Sequence, residues 1–229
     1  MVEEALAAGI LPAETFVAAS RPPDEAFVQR LTRGGPVHVV EDRLLADVGS
    51  LGHPARVVCV FDTSALPTRE TPVPGTNVSL GVHLHRLIDP GNVGTVVRAC
   101  GALGPAWLSL SPGCSDPLSA KGVRASMGAV FRVPIQAGAD LPEGGPRIAL
   151  VPEAETPLWA ADLTGPVVLV VGAERHGLPP DVVERCDATC AIPQAAGADS
   201  LNAAQAATLA LYEAARQRAS AQAESLNGG

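Results

Sequence analysis

Apolar residues in this chain fall into short unbroken runs, each followed by a small-residue loop and then a stretch with helical spacing. The clearest case is Val167–Val171, five consecutive aliphatic residues. A run that short and that continuous reads as a strand buried on both faces, as in a parallel sheet. It leads into Gly172-Ala173-Glu174-Arg175-His176-Gly177-Leu178-Pro179-Pro180 and an amphipathic segment from Asp181 to Arg185. A second run, Ala188–Ile192, ends in the loop Pro193–Asp199. Ser200-Leu201-Asn202 then opens a long alanine-rich helix reaching Arg218. Two strands that each deliver a small-residue loop onto a helix start predict a ligand site at the carboxyl ends of a parallel sheet.

The same reading carries upstream. Val2–Ala8 is helical and stops at Gly9, Thr15–Ala18 is a short strand, and Asp24 caps a helix running to Leu31. Val37–Val40 is a strand, Asp42–Val48 a helix, and Arg56–Phe61 a buried strand. This alternation predicts a parallel or mixed sheet covered by helices. Leu66–Asn77 holds three prolines without helical periodicity and reads as a linker, giving domains at 1–77 and 78–229. The second domain opens with a strand over Val78–Leu84 and a helix over Val93–Leu103. Trp107–Leu110 is a strand, Pro117–Gly122 a short helix, and Arg124–Phe131 a further helical turn. Arg147–Val151 is a strand, Leu158-Trp159 lies on a surface segment, and the tail Ser220–Gly229 is expected to fray.

Composition narrows the function classes. The 229 residues are 47% hydrophobic and 17% charged, enough for a large core. No apolar run approaches the roughly 18 residues of a membrane span, and no signal peptide stands at the N-terminus, so a cytoplasmic location is expected. The five cysteines lack CxxC spacing and read as small buried hydrophobes in a reducing compartment. His83-x-His85 has no accompanying carboxylate or cysteine cluster, so no metal is assigned. A net charge of −8 argues against indiscriminate polyanion binding but leaves room for an arginine-lined patch. Fifteen of the sixteen basic residues are arginine.

The loops exclude several chemistries. Gly172-x4-Gly177 has the spacing of a phosphate loop, but Leu178-Pro179 stand where Lys-Ser/Thr is needed. No GxGxxG follows a strand and no GxSxG occurs, which leaves nucleotide oxidoreductase, kinase and hydrolase readings without their working residues. Three loops keep a polar group that a plain turn does not need: Asn92 with Arg98, Glu174, and Ser200-Leu201-Asn202. Each has a bland alternative. Asn92 or Ser200 is an acceptable helix cap, Asn202 a first-turn polar residue, and Glu174 a cap or a solvated side chain. Arg98 sits among Val96, Val97, Ala99 and Cys100, where an arginine is rarely buried without a partner. All three loops leave one predicted sheet edge, which favours a shared site.

Three segments, in this order and spacing, resemble the motifs of the SpoU (TrmH-like) RNA 2′-O-ribose methyltransferases of the SPOUT class. They are Asp89-Pro90-x-Asn92-x-Gly94-x3-Arg98, Gly172-Ala173-Glu174-x2-Gly177-Leu178, and Ile192-Pro193-x6-Ser200-Leu201-Asn202. Arg124-Ala125-Ser126-Met127-Gly128 resembles the segment between the first two motifs. The resemblance implies an α/β fold with a trefoil-knotted parallel sheet, a homodimer with sites at its interface, and S-adenosylmethionine bound in the knot loops. It implies that Leu150, Val151, Gly172, Ala173, Ile192 and Leu201 contact the cofactor. Arg98 corresponds to the family's catalytic arginine. A guanidinium stays protonated at working pH, so its expected part is to position an RNA phosphate and lower the proton affinity of the 2′-hydroxyl. Asn92 is then expected to orient the arginine or ribose, Glu174 to hold Arg98 or Asn92, Ser200 and Asn202 to complete the polar shell, and Arg124 to bind phosphate. Residues 1–66 are similar to the L30e-like RNA-binding domain in a shortened form, beginning inside its first helix. The expected activity is methyl transfer to a ribose 2′-hydroxyl of rRNA or tRNA. A catalytically inactive RNA-binding or ribosome-assembly module with the same fold is the alternative.

Overall fold

The protein's structure, a computed structural model, describes residues 1–48, 55–68, 79–195, 197 and 200–227. The chain divides into two compact units, Met1–Leu66 and Pro67–Gly229. Of the expected linker, residues 69–77 lie outside the described residues.

The first unit alternates α1 (Val2–Ala7), β1 (Glu14–Ala18), α2 (Glu25–Leu31), β2 (Val37–Val40), α3 (Asp42–Val48) and β3 (Val57–Val60). Asp24 caps α2 by accepting from the Phe27 amide at 2.8 Å, as its position before the apolar-periodic run dictates. The sheet is mixed, in the order β2-β1-β3, with β1 parallel to β2 and antiparallel to β3. The strand expected to be buried at Arg56–Phe61 is shorter and only half-buried, and Val60 is exposed. As an edge strand it has β1 on one side only, so an apolar run does not guarantee burial.

The second unit contains β4 (Leu80–Leu84), α4 (Pro90–Leu103), β5 (Ala106–Leu110), α5 (Ala120–Ser126), β6 (Ile135–Ala137) and β7 (Arg147–Leu150). It continues with β8 (Val167–Val171), α6 (Pro180–Val183), β9 (Ala188–Cys190) and α7 (Ala203–Asn227). Its six strands are parallel throughout, in the order β6-β5-β4-β8-β7-β9. β4, β5 and β8 are buried at every position, which is why their sequences lack alternation.

Several boundaries differ from expectation. Asp89, not Asn92, caps α4: its side chain accepts from the amides of Gly91 and Asn92, with Pro90 in the first turn. β6 has three residues, too few to leave a pattern in the sequence. Leu158 is buried while Trp159 beside it is 61% exposed, because the 157–158 segment pairs with Ala191 past the end of β9. The tail does not fray at Ser220; α7 continues to Asn227.

α7 packs on α4 and β8, and its buried face is mostly alanine: Ala203, Ala204, Ala207, Ala210 and Ala214, with Leu211. Arg218 ties this helix down. Its guanidinium donates to Leu163 O at 2.9 Å, Gly165 O at 2.6 Å and Ser79 Oγ at 3.2 Å. On the other side of α4, Gly94 lets α5 approach so closely that a Cβ there would sit 2.3 Å from the Gly122 carbonyl oxygen.

One sheet face carries a buried polar pair. His83 on β4 stands opposite Ser109 on β5, with Nδ1 3.0 Å from the hydroxyl. Burial, reinforced by His85, pulls the His83 pKa down to about 4, so the ring is neutral near pH 7. Cys100 behaves as a buried hydrophobe, its thiol pushed up to about 12 by desolvation.

Candidate functional site

The carboxyl ends of β7, β8 and β9 and the start of α7 enclose a cavity of about 360 Å³, within the range of roughly 300–1,000 Å³ usual for small-molecule sites. All six residues expected to touch a cofactor line it: Leu150, Val151, Gly172, Ala173, Ile192 and Leu201. Glu174 and Ser200 line it as well. Each wall has a local cause. Val151 is fixed by its backbone N–H, which donates to Cys190 O at 2.9 Å and extends the β7–β9 pairing past the strand. The loop after β8 folds back on itself, and Gly177 N donates to Ala173 O at 2.9 Å. Gly172 is required by that turn, since a Cβ there would lie 2.2 Å from the Gly177 carbonyl carbon. Ile192 and Leu201 bring apolar side chains from the β9–α7 connection, whose residues 196, 198 and 199 lie outside the described residues.

Beside the cavity, Asn92 Nδ2 donates to Glu174 Oε1 in a short hydrogen bond. This bond joins the first turn of α4 to the loop after β8, across 82 residues of sequence. Asn92 is therefore free of capping duty and committed to Glu174. Of the two partners expected for Glu174, the structure pairs it with Asn92.

Asn202 is placed differently from expectation. It is the residue before α7, and its Oδ1 accepts from the amides of Ala204 at 2.8 Å and Gln205 at 3.4 Å. The helix starts at Ala203, so Ser200 is not its cap and stays exposed at the cavity rim. Leu201, in the non-helical 200–202 segment just before α7, forms part of the cavity wall.

Arg98 does not line the cavity of its own chain. It is exposed on the ridge of α4 that includes Thr95 and Ala102. Six residues of helix place it about 9 Å along the axis from Asn92 and about 120° around it. Among the described residues Arg98 has no hydrogen bond or ion pair. Arg124 is half-buried in the last turn of α5 and already engaged by a neighbour.

Sequence reasoning missed Glu153, Arg175, His176 and Gln194, which also line the cavity. The signal for Glu153 and Gln194 was present. Each stands two residues past the last apolar position of a predicted strand, as Ala173 does after Val171. Among the described residues no cluster could hold a metal ion, and no helix is long and apolar enough to cross a membrane.

Comparison with known proteins places this geometry. A profile described as the SpoU rRNA Methylase family matches residues 79–212. An uncharacterised tRNA/rRNA methyltransferase of Synechocystis is 36% identical over 79% of this chain and 68% of its own length. A 23S rRNA (uridine(2479)-2'-O)-methyltransferase of Streptomyces viridochromogenes is 34% identical, covering 77% of this chain and 66% of its own. Mycobacterial relatives at 39% identity are matched over only 48% of their length. Among solved structures, the SpoU methyltransferase AviRb of Streptomyces viridochromogenes aligns over 96% of this chain and 87% of its own, with a TM-score of 0.79 and 27% identity. An AdoMet-bound rRNA methyltransferase of Sinorhizobium meliloti aligns over 94% and 84%, with a TM-score of 0.79 and 32% identity.

Proposed function

This chain belongs to the SpoU rRNA methylase family, and from that premise we propose that it transfers a methyl group from S-adenosylmethionine to a ribose 2′-hydroxyl of structured rRNA or tRNA. The observation that carries the reading is one cavity walled by Gly172, Ile192 and Leu201 beside the Asn92–Glu174 bond.

The cavity suits the cofactor by shape and chemistry. Its apolar walls fit an adenine and a methionine stem, and the Gly172 backbone permits close approach. S-adenosylmethionine bound there supplies an electrophilic methyl group on a sulfonium. Leu150, Val151, Ala173, Ile192 and Leu201 hold and orient it, and Ser200 adds a hydroxyl at the rim. Glu174 fixes the Asn92 amide, which orients the incoming ribose. Asn202 acts through its cap, holding Leu201 against the cavity. Arg98 binds an RNA phosphate bidentately, and its fixed positive charge favours the 2′-oxyanion over the hydroxyl. Arg124 adds a second cation for the RNA backbone.

Because Arg98 leaves α4 on a different side from Asn92, the complete site is a property of a homodimer, in which one copy's Arg98 reaches its partner's cavity. Exposed Leu209 and Tyr212 on α7, which packs against α4, support an apolar interface there. The parallel order β4-β8-β7-β9, with α7 returning from the sheet edge to α4, supports a trefoil-knotted path. The likeness to AviRb extends over 96% of the chain, which supports an L30e-like substrate-binding role for the first unit. With RNA as substrate, the protein works in the cytoplasm.

Calorimetry with S-adenosylmethionine, followed by nucleoside mass spectrometry of RNA from wild-type and deletion strains, tests this. Expected are a binding heat and one 2′-O-methylated nucleoside missing from the deletion strain. Absence of binding heat sinks the enzymatic reading in favour of an inactive RNA-binding module.

A further inference from the structure

Two non-glycine residues among those described have a left-handed backbone, Met127 at φ 52° and Arg86 at φ 53°. Met127 closes α5 as its C-cap, a common place for that conformation. Arg86 closes no helix. It stands two residues past the end of β4, where a glycine would adopt the same backbone with less strain. An arginine held there against its preference points to a use for the side chain.

The surroundings fix Arg86 firmly. Its amide donates to Ser111 Oγ at 2.9 Å, and the Ser111 amide donates to Leu84 O at 3.0 Å. Its aliphatic stem runs beside the Gly113 turn, 3.7 Å from where a Cβ on that glycine would lie. The side chain is exposed, and among the described residues its guanidinium has no hydrogen bond or ion pair. Arg86 is nevertheless close enough to matter electrically inside. Burial first, and then the Arg86 charge, hold His85 below its ordinary imidazole value.

Its position bears on the site. The His85 amide donates to the carbonyl of Val171, a cavity wall, at 2.8 Å. Three residues beyond Arg86 comes Asp89, which caps the helix bearing Asn92. Along the chain, Arg86 thus comes between a residue bonded to the cavity wall and the start of α4. Residues 79–135 around it hold five cations and two carboxylates, a local surplus of three positive charges in an acidic protein. One of the five, Lys121, is already paired with Asp89 at 2.9 Å.

We propose that Arg86 is an RNA-anchoring residue whose guanidinium takes a phosphodiester of the substrate strand at the rim where the reacting ribose enters. The contact is distinct from the one assigned to Arg98, and it rests on the methyltransferase reading. A free planar fork of donors matches a phosphodiester better than any other ligand a sheet-edge loop meets in RNA. The backbone conformation serves to aim that fork, and the Ser111 bond keeps it aimed.

The test compares wild type, Arg86→Gly and Arg86→Lys by equilibrium binding to 23S rRNA transcribed in vitro, across a potassium chloride series. Thermal melts and S-adenosylmethionine calorimetry accompany it. Arg86→Gly is expected to melt at or above the wild-type temperature, because glycine relieves the backbone, and to bind S-adenosylmethionine as wild type does. Its RNA affinity should fall about ten-fold, and its log–log salt slope should flatten by roughly 0.7, the value of one phosphate on a single strand. Arg86→Lys, which keeps the charge but not the planar fork, should recover the salt slope and only part of the affinity, without the added stability. Equal RNA affinity and slope in wild type and Arg86→Gly overturns the proposal, as does failure of the wild type to bind this RNA. Loss of the methyltransferase reading is separately visible, as a wild type that binds RNA but gives no heat with S-adenosylmethionine.

Discussion

The six-stranded sheet divides down its middle into halves of opposite charge. Residues 79–135, which build β4, β5 and α4, carry five cations against two carboxylates. Residues 136–229, which build β7, β8, β9 and α7, carry five cations against twelve carboxylates. Arg86, Asn92 and Arg98 lie in the first half; the cavity walls lie in the second. The net charge of −8 therefore describes neither surface. A polyanion meets the field of the cationic half, while the acidic half suits a cofactor whose reacting centre is a sulfonium. Links between the halves include the β4–β8 pairing, the packing of α7 on α4, the Asn92–Glu174 bond and the Arg218 bond to Ser79.

This division can be broken from either side. The largest effect is expected from Arg98→Ala in the cationic half. Loss of a charged group that stabilises developing negative charge costs on the order of a hundred- to thousand-fold in rate. Methyl transfer should fall by that much while calorimetry still gives near wild-type S-adenosylmethionine affinity. Wild-type turnover in this variant removes the assigned mechanism.

Next is acid sensitivity at the buried pair beside the seam. The His83 pKa is near 4 folded, against 6.5 unfolded. Between those values the unfolded chain binds the extra proton, so stability is lost as pH falls from 6.5 toward 4 and is fully present above 6.5. The drop attributable to His83 is on the order of 3 kcal/mol. Denaturant melts across that window should show a shallower decline in His83→Gln than in wild type. Parallel declines would show that the ring is not the cause.

A strike at the acidic half should do the converse of Arg98→Ala. In Gly172→Ala the added Cβ collides with the Gly177 carbonyl, and overpacking of this kind costs about 1–3 kcal/mol. S-adenosylmethionine affinity should weaken about ten- to hundred-fold, with RNA binding by filter assay unchanged. Loss of both together would mean the two halves do not function as separable surfaces.

The smallest effect concerns the strap. Arg218→Ala removes three hydrogen bonds to Leu163, Gly165 and Ser79. The site is partly solvated, so a loss of about 1–2 kcal/mol is expected, read as a lower thermal midpoint. An unchanged midpoint would make α7 packing alone sufficient to hold the helix.

The sequence by itself determined the buried strands and the cavity loops. Val167–Val171 and Trp107–Leu110 lie within strands buried at every position, and an apolar run without alternation has few other uses. The loops holding Gly172, Ile192 and Leu201 follow such strands or open a helix, so local order marked the loops, while the family resemblance picked out those residues within them. What the tertiary structure decided depended on distant partners. Glu174 chose Asn92 because an 82-residue separation closes onto one sheet edge. Asn202 became a cap because α7 begins only at Ala203, which leaves the Ala204 amide for the Asn202 side chain. Arg98 took a different side of α4 from Asn92, a matter of helical phase once the helix start moved from Val93 to Pro90. Arg86 gave no periodic signal at all. Its meaning lies in a backbone angle and an unpaired charge, and both exist only after the chain has folded around them.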